Sequence, residues 1–302
     1  MNKSKITAYT ALATVMSASA AHADLSLSGL YQGNVSTESG ISHGMSTSSV
    51  YVTYWSTLDN GMGLSAGFSI TEGSMGFSTA IDTGMGTLGF GQIHSSAVDG
   101  MDSMPAGAKA VWSNSRLNST TSYSDGDTDE GMGIKYTSPS MNGWTLAYSM
   151  GENTCSSVVT YGATDADNTS VKTCDADRNS SIAVSGSIAG VALAAGAVDD
   201  NDGSDDNFFT AGYSVAGVSL GYGMYDDDNG SESTIYGLNT SMAGLSLGYT
   251  YEDLDASTDK DVSVYSVGKS LGGMNVTVQY TDQDNGTGTN AQKWNLIYSV
   301  GF

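Results

Sequence analysis

Few residues in this sequence have the chemistry of a catalytic centre, and they do not form a recognisable group. The histidines number three in 302 residues, and beyond the first 23 residues only His43 and His94 are found. Nucleophilic or acid–base catalysis needs a base within hydrogen-bonding reach of its partner. Neither histidine has a recognisable catalytic partner beside it. The pattern G-x-S-x-G occurs, for example at 63–67 and 217–221, but within alternating apolar and polar residues and not before a predicted helix, so it does not mark a nucleophile elbow. We therefore expect no enzyme, with a Ser–His pair built on His94 as the enzymatic alternative.

Acidic residues dominate the charge, with 32 Asp and Glu against 10 Lys and Arg and a net charge of −22. A surface this acidic repels the phosphates of nucleic acids, so we expect no nucleic-acid partner. Asp125, Asp127 and Asp129 alternate as oxygen ligands of Ca²⁺ do, but no bidentate Glu follows at a suitable distance. The sequence favours hydrated acidic loops and no cofactor, with Ca²⁺ at these loops as the weaker alternative.

The first 23 residues have the pattern of a signal peptide. Lys3 and Lys5 precede a weakly apolar run, and the Ala-His-Ala of residues 21–23 matches the small-residue pattern at a cleavage site. The run is shorter than the roughly 20 residues that a membrane-spanning helix needs, and no later stretch approaches that length. We predict cleavage after Ala23 and a single exported domain over 24–302.

Two cysteines, Cys155 and Cys174, are the only ones in the chain. A structural zinc site needs about four ligands, and this region supplies two. An even number of cysteines in an exported protein favours a disulfide. We predict one Cys155–Cys174 bridge and no metal site.

Alternation with a period of two dominates the rest of the chain. In residues 245–251 and 274–280, for example, Leu, Val, Tyr or Met alternates with Ser, Gly, Thr, Asn or Gln. Such a pattern predicts strands with one apolar and one polar face. Sixteen segments follow this pattern: 24–33, 47–58, 62–71, 76–82, 87–95, 131–138, 144–150, 179–188, 191–198, 207–215, 218–225, 233–241, 245–253, 261–269, 274–282 and 292–302.

The connections between these segments alternate in kind. Every second one is tight and rich in glycine, as at 59–61, 189–190 and 216–217, where hairpin turns need positive φ angles. Most of the others are longer and acidic, as at 199–206, and the connection near 72–74 is the short exception. Short turns at one end of a sheet and loops at the other are typical of outer-membrane barrels.

A closed barrel also agrees with the physics of a membrane. Backbone groups in lipid have no water to bind, so a sheet crosses only when it closes on itself. Sixteen strands leave room for water inside, and a polar inner face explains the mean hydropathy of −0.16. We predict an all-β, antiparallel, up-and-down transmembrane barrel of 16 strands. A soluble β-sandwich is the alternative, although its loops are not sorted by length in this way.

The last residues of the chain alternate in phase up to the C-terminus, with Trp294, Leu296, Tyr298, Val300 and Phe302 on one face. This resembles the terminal assembly signal of Gram-negative outer-membrane proteins, which the barrel assembly machinery reads by pairing with the strand edge. The resemblance implies outer-membrane lipids and this machinery as partners. An ordinary edge strand that ends in Phe is the alternative.

The chain from residue 24 onward resembles the general porin family, particularly its short sixteen-stranded trimeric type. The resemblance lies in the N-terminal strand at 25–31, in the glycine-rich segment 86–92 and in the C-terminal strand. It implies a homotrimer in the outer membrane of a Gram-negative bacterium, with residues 96–130 folded inward as a pore-constricting third loop. The pore-lining candidates are Gln92, Asp99, Asp102, Lys109, Arg116 and Lys135. Gln92 departs from the family, which commonly has Arg there.

These features predict a water-filled channel through which ions and small hydrophilic solutes diffuse passively. Because acidic loops surround the mouth and few basic residues are available for the wall, we expect a preference for cations. A structural or adhesive barrel with a closed lumen is the alternative. A substrate-selective channel would show an aromatic track or a ladder of basic residues, and the sequence reveals neither.

Overall fold

The computed structural model describes residues 24–37, 41–71, 74–91, 97–98, 133–151, 155–160, 169–174, 180–199, 205–227, 231–255, 260–284 and 290–301. Eighteen β-strands account for most of these residues. They are β1 Asp24–Ser36, β2 Ser42–Thr57, β3 Gly63–Thr71, β4 Ser74–Asp82, β5 Thr87–Gly91, β6 Gly133–Thr137, β7 Thr145–Met150, β8 Cys155–Thr160, β9 Thr169–Cys174, β10 Ser180–Ile188, β11 Val191–Asp199, β12 Asp205–Val215, β13 Val218–Asp227, β14 Ser231–Met242, β15 Leu245–Asp255, β16 Lys260–Leu271, β17 Met274–Asp284 and β18 Asn290–Gly301.

Sixteen of the strands form one closed antiparallel barrel. Each pairs with its neighbours in sequence, except that β7 pairs directly with β10, because β8 and β9 form a separate two-stranded sheet. The predicted fold is therefore confirmed, and each of the sixteen predicted segments overlaps one barrel strand. No helix long and apolar enough to span a bilayer occurs in the described part of the chain.

The barrel closes between its first and last strands. β1 runs antiparallel to β18, with Leu30 opposite Gly301 and Ser36 opposite Asn295. The one register shift in the β1–β2 ladder lies between Gln32 and Gly33. A bulge of this kind increases the local bend and twist of the sheet. The C-terminal strand β18 is thus paired on both sides, with β17 and β1, and is not a sheet edge.

Tight turns join the strands at one end of the barrel. Four of them place a non-glycine residue and the following glycine at positive φ: Asn142–Gly143, Ala189–Gly190, Ala216–Gly217 and Ala243–Gly244. Positive φ at both central residues defines the type I′ turn, whose twist matches that of the flanking strands. The alanines have no side-chain group that favours this region, so each of these turns depends on its glycine and on the paired strands.

The two faces of the sheet differ as the alternation predicts. On β17, Thr277, Gln279 and Thr281 are buried, whereas Val278 between them is exposed. Direct partners across the ladder carry the same character, as with Leu220 opposite Leu238 on β13 and β14. Large apolar side chains exposed on one face, with polar ones on the other, are what lipid outside and water inside require.

Candidate functional site

The lumen is the candidate functional site, and its wall consists of the inward-facing side chains. These are mostly small hydroxyl residues and glycines, as in the row formed by Thr53, Gly67, Ser78 and Gly91 across β2 to β5. Side chains of this size leave space inside a barrel of sixteen strands. The wall can therefore border water instead of filling the interior.

Charged groups on the wall are few and mainly acidic. Among the inward-facing side chains that the structure describes, the carboxylates are Asp24, Asp82, Asp206 and Glu252, and the ammonium groups are Lys135 and Lys293. Glu252 is buried and accepts a hydrogen bond from the Ser233 hydroxyl at 3.0 Å. Negative charge on the wall of an aqueous pore attracts cations and repels anions.

Residues 97–98, called here the inner segment, lie inside the barrel. They belong to the long connection between β5 and β6, and they are its only described residues apart from the strand ends. The backbone N–H of Ala97 donates to both Ser149 Oγ and Ser181 Oγ at 2.8 Å. The two hydroxyls lie 2.6 Å apart on the neighbouring strands β7 and β10. Both serines face inward, since Tyr148 and Ile182 beside them are exposed on the outer face.

Apolar contacts hold the same segment against the wall. Val98 is 0 % exposed and lies over Gly196 of β11, where a Cβ atom would come within 2.6 Å of Val98 Cγ1. The inner segment shares one buried apolar cluster with five wall residues: Ala183, Val198, Phe208, Tyr225 and Ile235. These residues form an apolar patch in a mainly polar wall. The inward fold predicted for residues 96–130 is therefore observed at residues 97–98, and the remaining residues of 96–130 lie outside those described.

Of the six predicted pore-lining residues, the structure describes Lys135. Gln92, Asp99, Asp102, Lys109 and Arg116 lie outside the described residues. Lys135 lies on the inner face of β6, opposite Gly89 of β5 and Ser149 of β7. It is thus on the wall, one strand away from the hydroxyl that binds the inner segment.

The cysteines lie opposite each other in the hairpin β8–β9, which the sequence analysis did not predict. Cys155 and Cys174 are direct Cα partners at one end of this ladder. The hairpin belongs to the connection between β7 and β10, at the end of the barrel that carries the loops. Its strands contain the alternation that signals a strand, but Ser and Thr on both faces make the signal weak.

The residues of the predicted assembly signal face outward on β18. Trp294, Leu296 and Val300 are exposed, and Tyr298 packs beside Tyr31 with ring centroids 6.2 Å apart. Tyr298 also covers Gly33, which has no side chain to compete for the space. Phe302 lies outside the described residues.

Aromatic rings form an outer band around the barrel from β12 to β18. Neighbouring rings have centroids between 4.8 and 6.4 Å apart. The members are Phe209, Tyr222, Tyr236, Tyr249, Tyr251, Tyr265, Tyr280 and Trp294. Such bands mark the boundary between lipid tails and headgroups in outer-membrane barrels. From its position near a strand end, Trp55 is expected in such a band, but the structure puts this ring on the inner face of β2, opposite Asp24 and Ser65.

Sequence reasoning missed the inward carboxylates. Glu252 and Asp206 continue the polar phase of their strands, so the alternation that identified the strands also marks them as lumen residues. No group of three or more His, Cys, Asp or Glu in the described residues is placed to hold a metal ion. Asp125, Asp127 and Asp129, the candidate Ca²⁺ ligands, lie outside that part of the chain.

Comparisons with known proteins agree with this geometry. The sequence matches the Gram-negative porin family over residues 8–299. Among solved structures, the fold is similar to a triple mutant of the Rhodopseudomonas blastica porin, with 16 % identity and a TM-score of 0.62. It is also similar to a porin refined at 1.8 Å resolution, with 14 % identity and a TM-score of 0.63. Both alignments cover 92 % of this chain and 100 % of the solved chain.

At these identities the structural likeness shows a shared fold, while the family match extends over nearly the whole sequence. No protein with a curated description matches the sequence. The closed barrel, its apolar outer face and the family match lead to one conclusion. The chain belongs to the Gram-negative porin family and is a channel-forming barrel of the outer membrane.

Proposed function

We propose that this porin is a general diffusion channel for ions and small hydrophilic solutes, without enzymatic activity or a cofactor. The observation that carries the proposal is the inner wall of small polar side chains, narrowed by an inner segment that is hydrogen-bonded to β7 and β10. Purified protein in a planar bilayer should give stepwise conductance in KCl, and proteoliposomes should swell in small sugars. A bilayer that stays silent with correctly folded protein would favour the closed structural or adhesive barrel.

We further propose that the channel prefers cations. The described inner wall carries more carboxylates than ammonium groups, and the whole chain has a net charge of −22. The preference should shrink with added salt, because the Debye length falls from about 10 Å at 0.1 M to about 3 Å at 1 M. The reversal potential across a KCl gradient measures it. An anion-selective value at low salt would contradict the proposal.

Gln92, Asp99, Asp102, Lys109, Arg116 and Lys135 are the proposed lining of the constriction. Two features support this assignment: Asp99 directly follows the inner segment in sequence, and Lys135 lies on the wall beside Ser149. Replacing Asp99 and Asp102 by Asn should move the reversal potential toward zero. Glu252→Gln removes a carboxylate elsewhere on the wall. If it shifts the reversal potential as much as the replacement of Asp99 and Asp102 does, the selectivity depends on the overall charge of the lumen.

A Cys155–Cys174 disulfide is proposed for the hairpin β8–β9. Directly opposite residues of antiparallel strands have Cα atoms about 4.5–5.5 Å apart. That separation lies inside the range of about 4.4–6.8 Å that disulfides span. The bridge predicts a mass lower by two hydrogen atoms before reduction, with no thiol open to alkylation. Two alkylated cysteines in unreduced protein would exclude it.

Cleavage, assembly and oligomeric state complete the proposal. The signal peptide should be removed after Ala23, which N-terminal sequencing of outer-membrane protein would test.

Deleting Phe302 should lower the yield of heat-modifiable barrel without affecting export, because the barrel assembly machinery would read a weakened terminal signal. The family resemblance supports a homotrimer surrounded by outer-membrane lipids, and light scattering in detergent would measure its mass.

A further inference from the structure

The inner face of β2 carries two exposed aromatic rings in a lumen lined mostly by small groups. Tyr51 is 41 % exposed and Trp55 is 47 % exposed. Both face inward, because their partners on β3 are the wall serines Ser69 and Ser65. Four residues of a strand span about 13 Å, so the rings occupy different levels of the pore. Trp55 is the ring nearer the tight turns.

Trp55 forms one side of a concavity of about 380 Å³ in the inner wall. The neighbouring positions are occupied by Gly63, Ser65 and Ala80, whose side chains are too small to cover the indole. Ligand pockets typically begin at about 300 Å³, so the space is sufficient for a small solute. The aromatic face is thus available to whatever passes this end of the channel.

Two carboxylates border the same concavity, and none of the described residues that line it is basic. Asp24 is the Cα partner of Trp55, and Asp82 lies on β4 opposite Gly63. Asp82 also accepts a hydrogen bond from the N–H of Gly84 at 2.9 Å, which fixes its position at the turn. Cleavage before Asp24 would add one α-ammonium group here and would leave the concavity with a net negative charge.

The wall next to this concavity carries a positive charge, which limits where a bound cation can lie. A second concavity of about 260 Å³ shares Ala80 and Thr87 with the first and carries Lys135. Its ammonium group repels cations from that side, whereas Trp55 and the two carboxylates attract them. An aromatic face attracts organic cations through its quadrupole, and a carboxylate adds a direct charge interaction.

We propose that Trp55, Asp24 and Asp82 form a binding site for small organic cations at the turn end of the lumen. The site deepens the proposed function, on which it rests, by naming a solute class that the channel retains longer than inorganic ions. Alkylammonium groups satisfy both parts of the site at once: their methyl or methylene surface contacts the indole, and their charge faces the carboxylates.

The test measures block of KCl current by tetramethylammonium in planar bilayers, with the probe added to either side. In the parent protein, tetramethylammonium should reduce the current in a saturable manner. Trp55→Leu should raise the half-blocking concentration about two- to fivefold, which is the usual strength of an exposed cation–π contact. Asp82→Asn should also raise it. Tyr54→Leu is the matched control, because Tyr54 is the adjacent ring on the same strand and faces outward, opposite Leu25 and Ala66.

The outcomes separate the site from the channel. Normal KCl conductance in Trp55→Leu with unchanged block would overturn the site and leave the diffusion channel intact. Equal weakening of block in Tyr54→Leu would also overturn it, because the effect would then come from the strand and not from the ring. Maltose is a neutral sugar and serves as a second probe. If maltose also blocks the KCl current, and Trp55→Leu is the only variant that abolishes this block, the site binds neutral rings and the assignment to cations fails. Absence of KCl conductance in the parent protein would end the proposed function and the inference together.

Discussion

Gly196 offers the sharpest test of how the inner segment shapes the pore. A Cβ atom at this position would come within 2.6 Å of Val98 Cγ1 and 3.0 Å of the Ile182 carbonyl oxygen. Carbon atoms in ordinary contact are about 3.5–4.0 Å apart, so Gly196→Ala requires Val98 to move by about 1 Å toward the lumen. The Ile182 carbonyl belongs to the ladder and cannot yield in its place.

Overpacking of this kind costs about 1–3 kcal/mol, which reduces the population of the wall-packed arrangement about 5- to 150-fold relative to competing ones. We expect a lower and more variable single-channel conductance in symmetric KCl. Val98→Ala in the same background removes the methyl group that the new Cβ meets, so the double variant should regain a single conductance level.

Gly89→Ala is the control. It also adds a methyl group to the inner wall, but among the described residues this group meets only the Lys135 carbonyl oxygen, at 3.7 Å. Its conductance should match that of the parent protein. The reasoning is refuted if Gly196→Ala gives the parent's conductance distribution, or if Gly89→Ala changes conductance as much as Gly196→Ala does.

Three more outcomes are expected. Replacing both Ser149 and Ser181 by Ala leaves a buried N–H of the inner segment without its acceptors, at a cost of about 1–3 kcal/mol, and should increase open-channel noise without loss of folded barrel. Ala216→Asn should raise the urea midpoint of unfolding, because Asn tolerates the φ of 51° better than Ala does. Leu220→Arg should destabilise the barrel by up to about 2–4 kcal/mol in a refolding titration, whereas Ser219→Arg, on the inner face, should fold normally.

The barrel was predictable because its determinants are local in sequence. On β17 the residues from Met274 to Tyr280 alternate without interruption, and a period of two assigns each side chain to a face without further information. The turn at Ala216–Gly217 is equally local, since the glycine permits one geometry that suits a hairpin. The parity of short and long connections then gave the two ends of the sheet.

The contents of the lumen were less predictable because they depend on distant pairs. The N–H of Ala97 meets Ser149 and Ser181, which are 52 and 84 residues away in sequence. Nothing in the sequence around residue 97 identifies these acceptors. The alternation along β2 assigns Trp55 to the inner face, but a tryptophan near a strand end is also typical of the lipid interface. Only the ladder from Asp24 to Ser65 resolves this choice.

The seam between β1 and β18 has a kinetic consequence. Leu30 of β1 pairs with Gly301 of β18, so the second edge of β1 has no hydrogen-bonding partner until the last strand has formed. Contacts between such distant parts of a sequence form slowly, and unpaired strand edges promote aggregation in the meantime. The chain must therefore remain unfolded yet protected during its passage through the periplasm. We expect the interval between export and closure, more than the stability of the finished barrel, to determine how much protein reaches the membrane.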